Sequence, residues 1–385
     1  MAASMELKLE RSAFVNALHK AQGVVDKKST VSVLSHVLLR SEAGGTVRLT
    51  GTDFDVILDA EVPAEVLSGG SACVNGKSLF DVVKNAGDSS IHLAVLDNHW
   101  VEVTAGRSRF KLAGIPAEDF PEINRPGEIQ WLTFDASVLK DCVEKTAFSV
   151  SDDETRMNLN GVFFKVDKGS DSGGDNSESL ARVQMVSTDG HRLSKVELDT
   201  EVKGYAGGTF DAIVHKKGIG ELKRLLDSNV EAVDVGFGKG VVLFRSGGTT
   251  FTVRQIEDTY PDYQRVIPPS APVRIQVDRK RMIEAVRRIA ILTSSKTYII
   301  KVELSPGQMA FTSSNPDYGE GRDEFDVQYD GEGLVIGFNY QYLLDVLNVL
   351  RGEHAVLEFT DEYGASVLTS PAEPGALFVV MPMRI

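Results

Sequence analysis

The sequence predicts an α+β fold repeated three times in tandem, and three observations carry that prediction. Strand-like runs end in related polar turns at Leu49–Val56 (LTGTDFDV), Ser187–Ser194 (STDGHRLS) and Phe311–Asp317 (FTSSNPD). Thr52, Thr188 and Ser314 mark these turns at intervals of roughly one ordinary domain. Helices with a one-sided apolar face recur among short strand patterns, and closing prolines follow at Pro121, Pro261 and Pro382. Two helices against antiparallel strands, three times over, is the arrangement expected. The domains predicted are 1–127, 128–270 and 271–385.

The first domain opens with a strand at Glu6–Leu9 and a helix at Ser12–Ala21. There Phe14, Ala17, Leu18 and Ala21 share a face and Ser12 is the expected N-cap. Strands follow at Val33–Arg40, Thr46–Gly51 and Asp55–Val62, then a helix at Ser78–Ala86 and a hairpin turning at Asp97-Asn98. In the second domain the helices are Ser137–Thr146 and Gly220–Asp227, with strands at Gly161–Val166, Arg182–Val186, Val233–Gly236, Val241–Arg245 and Thr250–Ile256. Asp167–Ser179 (DKGSDSGGDNSES) has nothing to bury and reads as a disordered loop. The third domain places helices at Arg279–Ala290 and Tyr340–Leu350 among strands such as Ile299–Leu304, Gln308–Thr312 and Ala355–Thr360. Each domain thus reads β-α-β-β-β-α-β-β-β.

Composition is that of an ordinary globular protein, 42% hydrophobic and 25% charged, so 385 residues suffice for several separate cores. No apolar run reaches membrane-spanning length and the N-terminus lacks a signal-peptide core, so a cytoplasmic protein without membrane contact is expected. Cys73 and Cys142 form no metal or redox motif, and the seven histidines show no ligand spacing. A net charge of −14 argues against gripping nucleic acid with the whole surface. The distribution still leaves basic helix faces: Arg279, Lys280, Arg281, Arg287 and Arg288 lie off the apolar stripe of their helix. Lys216 and Lys223, and likewise Lys217 and Arg224, are spaced two helical turns apart. Such faces are either solvated or line a common surface that touches phosphates without reading bases.

Catalytic motifs fare less well. Asn75-Gly76-Lys77-Ser78 resembles the end of a phosphate-binding loop, but that signature needs glycine where Ser71 stands, leaving a helix start capped by Ser78. Asp189-Gly190-His191 is either an acid/base pair or a turn, and no GxSxG accompanies it. Asp152-Asp153-Glu154 reads as a solvated loop rather than a divalent-metal site. No cofactor is expected.

TGTD in the first domain, STDGHRL in the second, YPDYQRVIP closing it and the terminal VVMPMRI together resemble the bacterial sliding clamps, the beta subunits of DNA polymerase III. The resemblance spans essentially the whole chain. It implies a non-enzymatic processivity factor: a head-to-tail homodimer whose closed ring encircles double-stranded DNA independently of sequence. Its helices face the DNA, with Lys28, Lys216, Lys217, Arg224, Arg279, Lys280 and Arg281 as the DNA-facing candidates. The ring junction would involve Phe110, Ile291 and Leu292. A pocket would take short peptide motifs of the polymerase III alpha subunit, the clamp loader, other polymerases and repair proteins. The matching residues are Arg156, Leu159, Thr188, Gly190, His191, Arg192, Leu193, Pro261, Arg265, Val266, Tyr342, Ser366, Val379, Val380, Met381, Pro382, Met383 and Arg384. Leu159, Leu193, Val266, Val379 and Met381 suit apolar anchors, and methionine adapts to varied partners. The protein would then associate with the nucleoid during replication. The chain departs from the family at Met157-Asn158, where aromatic residues are common, and in the length of Asp167–Ser179. Two other readings stay open: an enzyme using Asp189 and His191, and an adaptor that binds proteins without encircling DNA.

Overall fold

A single β-α-β-β-β module, used six times, builds the chain. The computed structural model describes residues 5–25, 31–169, 180–293 and 298–385. In the first repeat the modules are β1 (Met5–Glu10), α1 (Arg11–Val24), β2 (His36–Glu42), β3 (Thr46–Thr52) and β4 (Val56–Ser68), then β5 (Ser71–Asn75), α2 (Gly76–Lys84), β6 (Ser90–Val95), β7 (Val101–Ala105) and β8 (Ser108–Leu112), with a short β9 (Gly114–Ile115). The second repeat holds β10 (Gln130–Asp135), α3 (Ala136–Thr146), β11 (Gly161–Lys168), β12 (Ala181–Thr188) and β13 (Arg192–Thr200), then β14 (Phe210–His215), α4 (Lys216–Leu226), β15 (Ala232–Gly238), β16 (Val241–Ser246) and β17 (Thr249–Arg254). The third holds β18 (Val273–Asp278), α5 (Arg279–Ala290), β19 (Ile299–Ser305), β20 (Gln308–Asn315) and β21 (Gly319–Asp326), then β22 (Leu334–Asn339), α6 (Tyr340–Val349), β23 (His354–Phe359), β24 (Ser366–Thr369) and β25 (Ala376–Val380).

Each repeat has a strand before its second helix that its sequence pattern does not predict, and the first repeat also has the short β9. The extra strands β5, β14 and β22 run straight into a helix, and five or six residues give too short a period to separate strand from helix start. Two cap assignments also change. Glu10, not Ser12, caps α1: its carboxylate accepts from Ser12 N (2.9 Å) and Ala13 N (2.7 Å). Asn75, not Ser78, caps α2 by accepting from Ser78 N at 2.9 Å. Both satisfy backbone donors that the first helical turn leaves without partners. The basic helix of the second repeat begins at Lys216, earlier than the expected Gly220.

The chain divides into two compact units, one of residues 1–137, 202–204 and 217–255, the other of 138–201, 205–216 and 256–385. In the first, the strands run β10-β15-β16-β17-β4-β1-β6-β7-β8, with β2, β3, β5 and β9 branching from that path. Phe14 and Leu18 of α1, Leu79 and Val83 of α2, and Leu222 and Leu225 of α4 point into its core. In the second, β14-β11-β12-β13-β25-β24-β23-β18 form one sheet and β21-β20-β19-β22 another. Met282 and Val286 of α5, Leu343 and Leu347 of α6, and Phe311, Phe338 and Phe378 fill its interior. Each such side chain contributes about 1.5–3 kcal/mol of apolar burial. Cys73 and Cys142 are buried thiols, and burial pushes both up to about 12, so they are inert at neutral pH.

Candidate functional site

The hairpin between β12 and β13 carries STDGHRL. Asp189 Oδ1 accepts from the backbone N–H of His191 (2.8 Å) and of Arg192 (2.9 Å), and Thr188 Oγ1 accepts from Gly190 N and donates to Arg192 O. Gly190 takes φ +88°, and a Cβ there would lie 2.7 Å from Arg156 Nη1. Arg156 in turn donates to Asp189 O (3.2 Å) and to Asp153 Oδ2 (3.0 Å). Arg192 is locked: it donates to Asp189 Oδ2 (3.1 Å), Asp345 Oδ2 (2.5 Å) and Phe148 O (2.5 Å), and its guanidinium lies 4.3 Å from the ring centre of Tyr342. Burial raises the Tyr342 hydroxyl above its ordinary value.

Behind this turn, β13 pairs with β25, so Leu193 lies opposite Val379 and Arg192 opposite Val380. Val186, Leu193 and Val379 form a buried apolar cluster with Phe163, Tyr260, Tyr263 and Ile267 packed against it. Tyr260 stacks on Phe163 at 5.3 Å, and Tyr263 donates to Gln184 Oε1 at 3.0 Å. Burial raises the Tyr260 phenol well above the usual range. The tail continues from the turn: Met381 N donates to His191 O (2.8 Å) and Met383 N to Gly337 O (2.8 Å). A groove of about 580 Å³ borders Pro382, Met383 and Arg384, walled opposite by Val335 and Tyr363.

Most of the eighteen pocket candidates are therefore drawn together by the turn, β25 and the tail. Leu159 is buried, Ser366 pairs opposite Val380, and Pro261 follows the stacked Tyr260. Arg265 bonds Asp262 (2.8 Å) and stands on the surface with Val266. The sequence reading missed Phe163, Tyr260, Tyr263, Val335 and Tyr363, whose only signal was apolar or aromatic character near a marked turn.

Asp189 spends both carboxylate oxygens on the turn and on Arg192, which leaves the DGH motif as structure rather than an acid/base pair. Asp152 is paired with Lys216, and Asp153 is held by Thr155 and Arg156, whose hydrogen bonds keep its carboxyl below the ordinary value. Among the described residues no group of three or more His, Cys, Asp or Glu side chains could hold a metal ion.

The DNA-facing candidates are less free than their spacing suggests. Lys217 pairs with Asp53, Arg224 with Glu221 (2.6 Å), and Arg288 with Asp323. Arg279 donates to Leu347 O (2.8 Å) and Gly352 O (2.9 Å) beyond α6, and Arg281 lies 5.2 Å from the Phe325 ring centre. Lys280 is exposed, and Lys28 lies outside the described residues.

Phe110 lies on β8 and Ile291 and Leu292 follow α5. The last strand of a first module pairs with the last strand of a second module twice within the chain, as β4 with β17 and β13 with β25. The remaining strands of these two kinds, β21 and β8, each end a sheet. Thr52 opposes Ile57, Thr188 opposes Leu193 and Ser314 opposes Glu320, which puts the three hairpins in one frame. In that frame Phe251 faces Leu58, Phe378 faces Ser194, and Phe110 has Gly321 as its counterpart. Phe251 and Phe378 are 1% and 0% exposed, whereas Phe110 is 41% exposed and Ile291 76%.

Fold and turn together define a class: a scaffold of six copies of one module, with its most enzyme-like motif committed to holding a turn. Family models for the N-terminal, central and C-terminal domains of the DNA polymerase III beta subunit match residues 5–124, 133–262 and 264–384. The chain is 33% identical to the beta sliding clamp of Caulobacter vibrioides and 30% identical to that of Escherichia coli, covering 99% of this chain and all of each relative. The solved Caulobacter crescentus beta sliding clamp superposes with a TM-score of 0.90 at 33% identity, over 99% of this chain and all of that one. The Bacillus subtilis clamp shares the fold at 0.91 and 23% identity, over the full length of both chains. The chain belongs to the DNA polymerase III beta subunit family, the bacterial beta sliding clamps. It is a processivity factor and a non-catalytic subunit of that holoenzyme. No helix among the described residues is long and apolar enough to cross a membrane.

Proposed function

We propose that two copies close head to tail into a ring around duplex DNA, built from domains 1–127, 128–270 and 271–385 of each chain, and that the ring tethers polymerase while sliding. One observation supports this most: a strand pairing made twice inside the chain leaves its third counterpart, β21 with β8, to be made by a second copy. The exposed Phe110 would then be covered as Phe251 and Phe378 are, against Gly321 and the Leu292 side chain beneath it. The charges agree. β8 and its turn carry Arg107, Arg109 and Lys111, while β21 carries Glu320, Asp323, Glu324 and Asp326 against Arg322. Joining two such edges removes unpaired backbone groups from both.

The pocket around Leu193, Val379 and Met381 takes peptide motifs of the polymerase III alpha subunit, the clamp loader and other polymerases and repair proteins. The basic helices make weak, sequence-independent phosphate contact. No cofactor is needed, and the protein works in the cytoplasm at the nucleoid. Particle imaging paired with solution mass tests the ring. A dimer-mass ring with a central hole is expected, and Phe110→Asp should shift the mass to monomer with its melting temperature kept within a few degrees. A compact monomer of the unaltered chain, or a Phe110→Asp protein that remains a dimer, overturns the seam.

A further inference from the structure

The three equivalent hairpins use one side chain in different ways. Asp53 Oδ1 accepts from Asp55 N (3.1 Å) and Val56 N (2.8 Å), as Asp189 Oδ1 does from His191 N and Arg192 N. In the third repeat Asn315 Oδ1 accepts from Asp317 N (2.9 Å). One side-chain oxygen therefore holds the turn, and asparagine supplies it without a charge. The second oxygen is where the turns part. Asp189 Oδ2 stays within its own turn, accepting from Arg192 at 3.1 Å. The first turn has Val56 where the second has Arg192, so its own residues offer no cation. Asp53 Oδ2 instead reaches out of the hairpin to Lys217, in the first turn of α4.

Lys217 is one of the DNA-facing candidates, and its ammonium is well held. Besides pairing with Asp53 it donates to Val24 O (3.1 Å), at the last residue of α1. The Asp53 side chain is 12% exposed and that of Lys217 30%, so water screens this pair less than it screens a pair on the open surface. Glu221, one helical turn further along α4, is committed to Arg224 (2.6 Å), and its burial favours the neutral form. A lysine that binds a DNA phosphate gains affinity by releasing a counterion. A lysine taken from a carboxylate leaves a bare anion behind, which draws a cation back. The exchange of one anion for another then gains little.

We propose that Asp53 is a built-in competitor of phosphate, holding Lys217 back from DNA and loosening the protein's grip on the duplex. The proposal rests on reading the basic helix faces as the DNA-facing surface. A charge that the turn does not need thereby sets how tightly DNA is held during sliding. The full chain is titrated with a short fluorescent DNA duplex, by anisotropy across a salt series. Asp53→Asn keeps an acceptor for the turn and removes the charge. It should bind about three- to tenfold more tightly at low salt, with a log–log slope steeper by up to about 0.9, the worth of one more phosphate contact. Adding Lys217→Ala to Asp53→Asn should abolish that gain. A gain that survives the second change comes from net charge alone and overturns the proposal. Unchanged or weaker binding by Asp53→Asn makes Asp53 a staple for α4 and also overturns it. Should Asp53→Asn fail to fold, Asp53→Ser, which keeps an oxygen acceptor without the charge, is read in the same way. Lys280→Ala with Lys223→Ala, run beside it, tells two failures apart. If that pair lowers the slope while Asp53→Asn leaves it unchanged, only the inference about Asp53 falls. If neither moves the slope, the DNA-facing reading falls with it.

Discussion

At the scale of single residues, burial decides roles that residue type leaves open. Glu221 lies on the inner side of α4 with one carboxylate oxygen on Arg224 and the other, buried, without a hydrogen bond. Burial raises its carboxyl above 4.5 despite Arg224 and Lys217 nearby. Such a group holds its proton in the folded chain where the unfolded chain has already lost it, so its contribution to stability falls as pH rises through that window. Glu221→Gln should therefore be about as stable as the parent near pH 4 and more stable at pH 7, by about 0.5–1 kcal/mol. Thermal melts from pH 4 to 8 check this, and a parent that outlasts the variant at pH 7 contradicts it. Sequence periodicity marked Leu222, Leu225 and Leu226 as the buried face but gave no sign that Glu221 joins them. Arg192 was legible as part of a special turn with Asp189, yet its other three partners, Phe148, Tyr342 and Asp345, come from segments far along the chain that no local pattern links.

At the scale of elements, helices were readable and their neighbours less so. All six apolar faces follow a 3.6-residue period, which survives in any context. Strands of five or six residues such as β5, β14 and β22 carry too few alternations to declare themselves, and only their pairing with β2, β11 and β19 identifies them. Caps fail for a different reason: Asn75 and Ser78 both carry an acceptor suited to an N-cap, and the backbone at Asn75 chooses it. Asn75→Ala should cost about 1 kcal/mol, while Ser78→Ala should change stability by less than about 0.5 kcal/mol. Denaturant melts of the two variants decide between those caps, and a larger loss for Ser78→Ala would restore the sequence assignment.

At the scale of the whole molecule, an acidic protein that holds DNA has to do so with few uncommitted charges. Arg279 and Arg288 are spent on α6 carbonyls and on Asp323, so removing them would disturb packing as well as charge. Lys280 and Lys223 are the cleaner test, being exposed on their helices. Lys280→Ala with Lys223→Ala should lower the salt dependence of DNA binding by up to about 0.9 in log–log slope for each phosphate no longer neutralised, leaving the melting temperature almost unchanged. An unaltered slope across a salt series would place the DNA-facing surface elsewhere. The domain rhythm was legible because Thr52, Thr188 and Ser314 mark equivalent turns; the strand partners were not, since pairing of β4 with β17 spans most of two repeats.

That pairing has a kinetic consequence. The seams β4–β17 and β13–β25 are closed by one continuous chain, so a breached edge stays within reach of its partner. A seam between β8 and β21 of separate molecules enjoys no such tether, and its partner is present only at the protein's own dilution. Three seams of similar chemistry would then differ greatly in how often they reclose after a breach. In the proposed ring, polymer connectivity, more than the strength of any one interface, would select the gate through which DNA enters and leaves.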